Sequence, residues 1–168
     1  MTLTTHAVVG AAVASLVPSH PVIGFIGGFL SHFACDSIPH WAEGKLLKSI
    51  HKEHNDPLTR SVRGAAALIH DVALVGFDSL VGFSLSTLIL FYFFHVPLYT
   101  VLLGAFAGQM PDGLQFVYFV FKPKWMIPLQ KFHGRIQTEY TNMAYLGIEA
   151  GLILVVCVLG ILGAFMVQ

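Results

Sequence analysis

One apolar stretch of this 168-residue chain ends in Ser31-His32-Phe33-Ala34-Cys35-Asp36-Ser37-Ile38-Pro39-His40. His32 and Asp36 stand four residues apart, so on a helix they share one face. An imidazole and a carboxylate at that spacing can reach one metal ion. The same pair can also be a hydrogen-bonded brace that holds one helix against another. His40 follows Pro39, where the chain can fold back. Ionisable residues inside apolar segments are costly and tend to be functional, which favours the metal or catalytic reading. His70-Asp71 opens a later apolar segment, with Asp78 seven residues on and near the same face. Met110-Pro111-Asp112-Gly113 places a carboxylate where proline and glycine loosen a helix, although Pro-Asp-Gly is also an ordinary turn. In Lys131-Phe132-His133-Gly134-Arg135 the histidine can bind a metal and the arginine an oxyanion, or both can meet anionic headgroups. His6 begins the first apolar stretch.

His6, His32, Asp36, His40, His70 and Asp112 are the expected metal ligands. Asp71 or His133 is the expected general acid or base, and Arg135 the expected oxyanion holder. Nitrogen and oxygen donors with no cysteine suit one or two divalent transition ions, Zn2+ first and Mn or Fe as alternatives. Such an ion would activate water and polarise a phosphoryl or carbonyl oxygen. The His and Asp candidates exceed one tetrahedral set, which implies either two ions or one ion with acid–base partners. His20 and His95 fall in turns at the opposite ends of the helices and read as bystanders. His51-Lys52-Glu53-His54 lacks the His-Glu-x-x-His spacing of zinc proteases and reads as solvated.

These residues must be positioned by apolar segments. Of the chain, 55% is hydrophobic and 11% charged, with a mean hydropathy of +0.73. A soluble domain carries about 25% charged residues, so composition points to an integral membrane protein. The expected architecture is all-α and single-domain, with about five transmembrane or re-entrant helices plus a short interfacial amphipathic helix. The helices are expected over 4–17, 22–36, 64–94, 98–121 and 144–166, the fourth interrupted at Gln109–Gly113. Pro18 and Pro21 force a tight turn between the first two. Those two are short for spans, since about 20 residues are needed, and read as thin spans or a re-entrant pair. Gly10, Ala11, Ala12, Ala14, Gly24, Gly27 and Gly28 suit close helix packing. Leu46, Leu47 and Ile50 alternate with Lys45, Lys48 and Lys52, which predicts the surface helix.

All nine Lys and Arg residues fall in two windows, Lys45–Arg63 and Lys122–Arg135. Basic residues concentrate in cytoplasmic loops, and the third and fourth helices lie between the windows, so both windows belong on one side, the cytoplasm. Trp125 and Tyr140 are plausible interfacial anchors. If the first two segments span, the His and Asp candidates share the cytoplasmic half of the bundle. Nine acidic residues balance the nine basic ones, so nothing in the charge suggests a nucleic-acid footprint. The start of the chain lacks a positive signal-peptide region, so its first helix is expected to be retained. Cys35 and Cys157 are isolated, giving no disulfide framework.

Four short motifs resemble bacterial inner-membrane proteins known as membrane-bound metal-dependent hydrolases. Thr5-His6-Ala7-Val8-Val9-Gly10 looks like their opening, and Ser31-His32-Phe33-Ala34-Cys35-Asp36 is similar to their Ser-His-x-x-x-Asp element. Met110-Pro111-Asp112-Gly113 and His133-Gly134-Arg135 are similar to parts of their Pro-Asp-x-Asp-His and His-Arg-Gly-x-x-His elements. A second alignment sets Asp36-Ser37-Ile38-Pro39-His40 against the early Asp-His element and Asp112 against the late Asp. The resemblance implies hydrolysis in a bacterial inner membrane.

Three functions compete. The first is a metal-dependent hydrolase acting beside the membrane lipid on a phosphoester of a lipid or lipid-linked molecule. The second is a proton or metal-cation transporter with Asp71, Asp78, Asp112 and Glu149 as a relay. The third is a scaffold whose His–Asp pairs only join helices.

Overall fold

A computed structural model describes residues 1–41, 47–51, 58, 61–62, 64–140 and 145–166; for 50–51, 61–62, 139–140 and 159–166 it describes the backbone alone. The fold is all-α. Its helices are α1 Leu3–Ser15, α2 Pro21–Asp36, α3 Ala65–Ser86 with a π-helical continuation Thr87–Phe93, α4 Leu98–Phe121, α5 Ile127–Ile136 and α6 Leu146–Met166. Among the described residues, four two-residue strands tie the connections. His40–Trp41 (β1) runs parallel to Glu139–Tyr140 (β4), and Ile50–His51 (β2) runs antiparallel to Ser61–Val62 (β3).

The centre of the bundle is α1, against which α2, α3, α4 and α6 all pack. Its first amides, which no helical carbonyl can satisfy, go to side chains from elsewhere. Thr2 caps the helix by accepting from the Thr5 amide, as threonine does at this position. Asp78 Oδ2 on α3 accepts from the Leu3 and Thr4 amides at 2.6 and 3.3 Å. Glu149 Oε2 on α6 accepts from the Thr2 amide at 2.9 Å and its hydroxyl at 2.7 Å. Two carboxylates thus face the positive end of the helix dipole, where negative charge is favoured.

Small residues set the spacing between α1 and α4. A Cβ added to Gly10 would lie 2.5 Å from the Gly104 carbonyl oxygen and 2.8 Å from the Gly108 Cα. Only glycine allows these backbones to meet, which is the use of small residues in close helix pairs. Ala7, Ala11, Val101 and Ala105 fill the adjoining core with Ile89 and Leu90.

The structure corrects three expectations. First, α4 continues through Pro111 with no interruption at Gln109–Gly113. Pro111 forfeits one helical bond, but it is buried in a helix against which both α1 and α2 pack. Second, the second basic window is not a loop: Lys124–Met126 forms a 3-10 turn and α5 follows, with a proline in its first turn, where the missing N–H costs nothing. His133 therefore sits on a helix. Third, the expected surface helix over Lys45–Lys52 falls partly outside the described residues, and its described end is not helical. The Asp71 carboxylate takes the amides of Lys48 and Ser49 at 2.9 and 2.7 Å, and Ile50–His51 pairs as a strand.

The 29-residue run Ala65–Phe93 is the one described helix long and apolar enough to cross a membrane. At 1.5 Å per residue, α1 and α2 reach roughly 20 and 24 Å, less than a hydrocarbon core of about 30 Å. The two basic windows meet, since Lys122 Nζ donates to the Leu58 carbonyl at 3.1 Å.

Candidate metal centre

Five elements bring His6, His32, Asp36, His40, Asp112 and His133 into one cluster. His6 stands on the first turn of α1, His32 and Asp36 on the last turns of α2, Asp112 in mid α4, and His133 on α5. His40 follows α2 on β1. The side chains of His6, His32, Asp36, His40 and His133 are fully buried, and Asp112 is 24% exposed. Asp112 therefore forms the accessible edge of the cluster.

His32 Nε2 lies 3.2 Å from His133 Nε2, 3.3 Å from Asp36 Oδ2 and 3.6 Å from Asp112 Oδ1. His133 Nε2 lies 2.9 Å from Asp36 Oδ2 and 3.6 Å from Asp112 Oδ1. Ligands about 2.0–2.1 Å from a tetrahedral ion stand roughly 3.3 Å from one another. Each of the five separations is within a few tenths of an ångström of that value. The donor set, two imidazoles and two carboxylates, suits Zn2+, Mn2+ or Fe2+. Two ring nitrogens facing each other at 3.2 Å are poor neighbours without a proton or a cation between them.

The imidazoles are oriented by backbone carbonyls. His32 Nδ1 lies 2.8 Å from the Gly108 carbonyl oxygen, and His40 Nδ1 lies 2.8 Å from that of Ile38. A carbonyl only accepts, so each Nδ1 carries a proton, and in the neutral ring that leaves the Nε2 lone pair for the cluster. Metal-ligating histidines are typically held in this way. Phe33 stands edge-on to both His32 and His133, and Phe132 packs edge-on against Phe33. An apolar ring beside metal-ligating imidazoles lowers the local dielectric and strengthens charge interactions there.

Backbone hydrogen bonds bring α5 to α2. The Thr138 amide donates to the Asp36 carbonyl at 3.0 Å, and the His40 amide to the Thr138 carbonyl at 3.2 Å. The β1–β4 pairing continues this register, so His133 is held against Asp36 by main-chain geometry.

The other residues singled out from the sequence lie elsewhere. His70 and Asp71 form their own pair, at 3.0 Å, and Asp71 holds the Lys48–Ser49 turn. Arg135 is exposed in the last turn of α5. It is two residues from His133, about 200° around the helix, so it faces away when His133 faces in. Asp78 and Glu149 serve the start of α1. His133, expected as an acid or base, has its Nε2 within the ligand group itself. Sequence reasoning passed over Gly108 and Ile38, because a backbone carbonyl leaves no trace in residue type; the Gly104-x-x-x-Gly108 spacing was the available signal for the first. The Met1 amino group also reaches the cluster, 3.2 Å from Asp36 Oδ1.

Compared with protein-family models, curated proteins and solved structures, the chain finds no match. What fold and site define is an all-α protein with a buried His2Asp2 group able to hold a metal ion.

Proposed function

We propose that the chain is a membrane-embedded, metal-dependent hydrolase acting on a phosphoester of a lipid or lipid-linked molecule, with Zn2+ as its first-choice ion. The observation that carries this reading is the convergence of ligand atoms from His32, Asp36, Asp112 and His133 within 4.8 Å of one another, in a cluster whose single accessible member is Asp112. A purely structural metal site is closed, whereas a catalytic one keeps an approach for water and substrate. A divalent ion bound there supplies Lewis acidity, activating water as a nucleophile and polarising a phosphoryl oxygen. This chain's residues would hold the ion, with Phe33 shielding the His32 and His133 rings and the Asp112 side left open. The four fragments that resemble membrane-bound metal-dependent hydrolases each send a side chain into this one cluster, which supports the same reading.

Membrane embedding is supported by large exposed apolar side chains on α2, α3 and α4, among them Ile23, Leu30, Ile69, Phe77, Leu80 and Phe106, each more than half exposed. An apolar surface this extensive requires an apolar solvent or a partner. Asp112 stands nine residues before the end of α4, roughly 14 Å from the basic windows at 1.5 Å per residue. The windows, joined through Lys122 and Leu58, belong by the charge rule to the cytoplasmic side of a bacterial inner membrane. The relay reading has less support, because Asp78 and Glu149 are engaged by the amides and hydroxyls of α1.

The test is metal analysis of detergent-purified protein supplied with Zn2+, Mn2+ or Fe2+, followed by hydrolysis assays on phosphomonoesters, phosphodiesters and lipid pyrophosphates. Bound metal and turnover, both lost in Asp36→Asn, are expected. Folded protein that binds no transition metal, or metal-loaded protein that cleaves none of these esters, overturns the reading.

A further inference from the structure

Each carboxylate of the cluster turns one oxygen to His32 and His133, and its other oxygen elsewhere. Asp36 Oδ1 lies 3.2 Å from His6 Nε2 and 3.8 Å from His40 Nε2. Asp112 Oδ2 lies 3.9 Å from His6 Nε2. Both of these Nε2 atoms are buried and have no hydrogen-bond partner among the described residues. Burying a polar atom unpartnered is costly, and native structures rarely do so without a reason. The Ile38 carbonyl holds a proton on His40 Nδ1, so the neutral ring has its Nε2 lone pair available to a cation.

We propose that His6, His40, Asp36 Oδ1 and Asp112 Oδ2 form a second divalent-cation position, so that the two carboxylates bridge a dinuclear centre. The inference rests on the metal-centre reading above and extends it. Two imidazoles and two carboxylate oxygens then serve each ion. The His6 and His32 rings stack with centroids 3.9 Å apart and planes 23° from parallel, placing one ring from each set side by side. The separations around His6 and His40 are wider than those around His32 and His133, so this is the weaker position and fills second. The Met1 amino group shares the Asp36 Oδ1 edge, and a second ion must displace it or take it as a neutral donor. Two dications against two carboxylates leave net positive charge, which favours an anionic substrate such as a phosphate ester.

The experiment is titration of metal-stripped, full-length protein with Zn2+, read by metal analysis, and with Mn2+, read by electron paramagnetic resonance. Wild type is expected to bind two equivalents and to give a spin-coupled Mn2+ spectrum. His6→Ala and His40→Ala are each expected to fall to one equivalent with an isolated six-line signal; should one fail to fold, the other carries the test. One equivalent in wild type, unchanged in both variants, overturns the second position and leaves the first standing. No metal bound by folded wild type defeats both.

Discussion

The Gly108 carbonyl oxygen accepts the Nδ1–H of His32 at 2.8 Å, at the point where α1 crosses α4. An added Cβ on Gly108 would collide with the His6 carbonyl oxygen. One glycine therefore orients a ligand of α2 with its carbonyl and admits a ligand of α1 by its lack of a side chain. Asp112 follows one helical turn later, so His6, His32 and Asp112 come together around this contact.

Gly108→Ala should consequently act on both the fold and the centre. Overpacking two backbones costs about 1–3 kcal/mol, and disturbing the groups that orient metal ligands typically lowers affinity by roughly 10–100-fold. Thermal unfolding and Zn2+ titration of the variant measure the two effects. Wild-type values in both would show that the close approach carries no weight.

His133 and Arg135 should separate cleanly although only Gly134 lies between them. His133→Ala removes a nitrogen from the tetrahedral group and should abolish metal retention at that position. Arg135→Ala, on the exposed side of α5, should retain wild-type metal content. Elemental analysis of both proteins decides this, and equal metal loss in the two would contradict the placement of α5.

Metal removal should destabilise the bundle, because the ligands come from α1, α2, α4, β1 and α5 and exist as a set only in the folded state. A ligand present at 100 times its Kd stabilises the folded state by about 2.7 kcal/mol. Chelation should therefore lower the unfolding temperature of wild type and leave that of Asp36→Asn unmoved. Identical melting of loaded and stripped wild type would argue against an ion that bridges these elements.

Asp78 offers a contrast to the cluster carboxylates. Its oxygens accept from the Leu3 amide and the Thr4 hydroxyl, each at 2.6 Å. Asp78→Ala should cost about 1–3 kcal/mol by leaving those donors unpaired, with metal content per folded molecule unchanged. A cation relay through Asp78 predicts instead a loss of proton or metal uptake into sealed vesicles with little change in stability, so the two measurements together separate the roles.

Much of this architecture was legible in residue order because it depends on local periodicity. The apolar runs mark α1, α2, α3, α4 and α6 to within a few residues, and Pro18, Pro21 and Pro97 mark their turns. His32 and Asp36 share a face through helix geometry alone, four residues being about one turn. Pro111 was misleading: a proline's effect depends on what surrounds the helix, and this one is buried in the packed bundle. The 124–136 stretch was also misread, because charged residues and a proline look alike in a loop and in the first turn of a short helix.

The meeting of His6, Asp112 and His133 with the His32–Asp36 pair is a matter of tertiary structure. It requires that α1 and α4 touch through Gly10, Gly104 and Gly108, and that Thr138 bond the main chain of Asp36 across about a hundred residues. Residue types name the ligands that are chemically able to bind an ion. Which of them converge depends on backbone distances of a few ångströms between helices remote in sequence, and His70, Asp71 and Arg135 differ from the converging residues in that respect and not in chemistry.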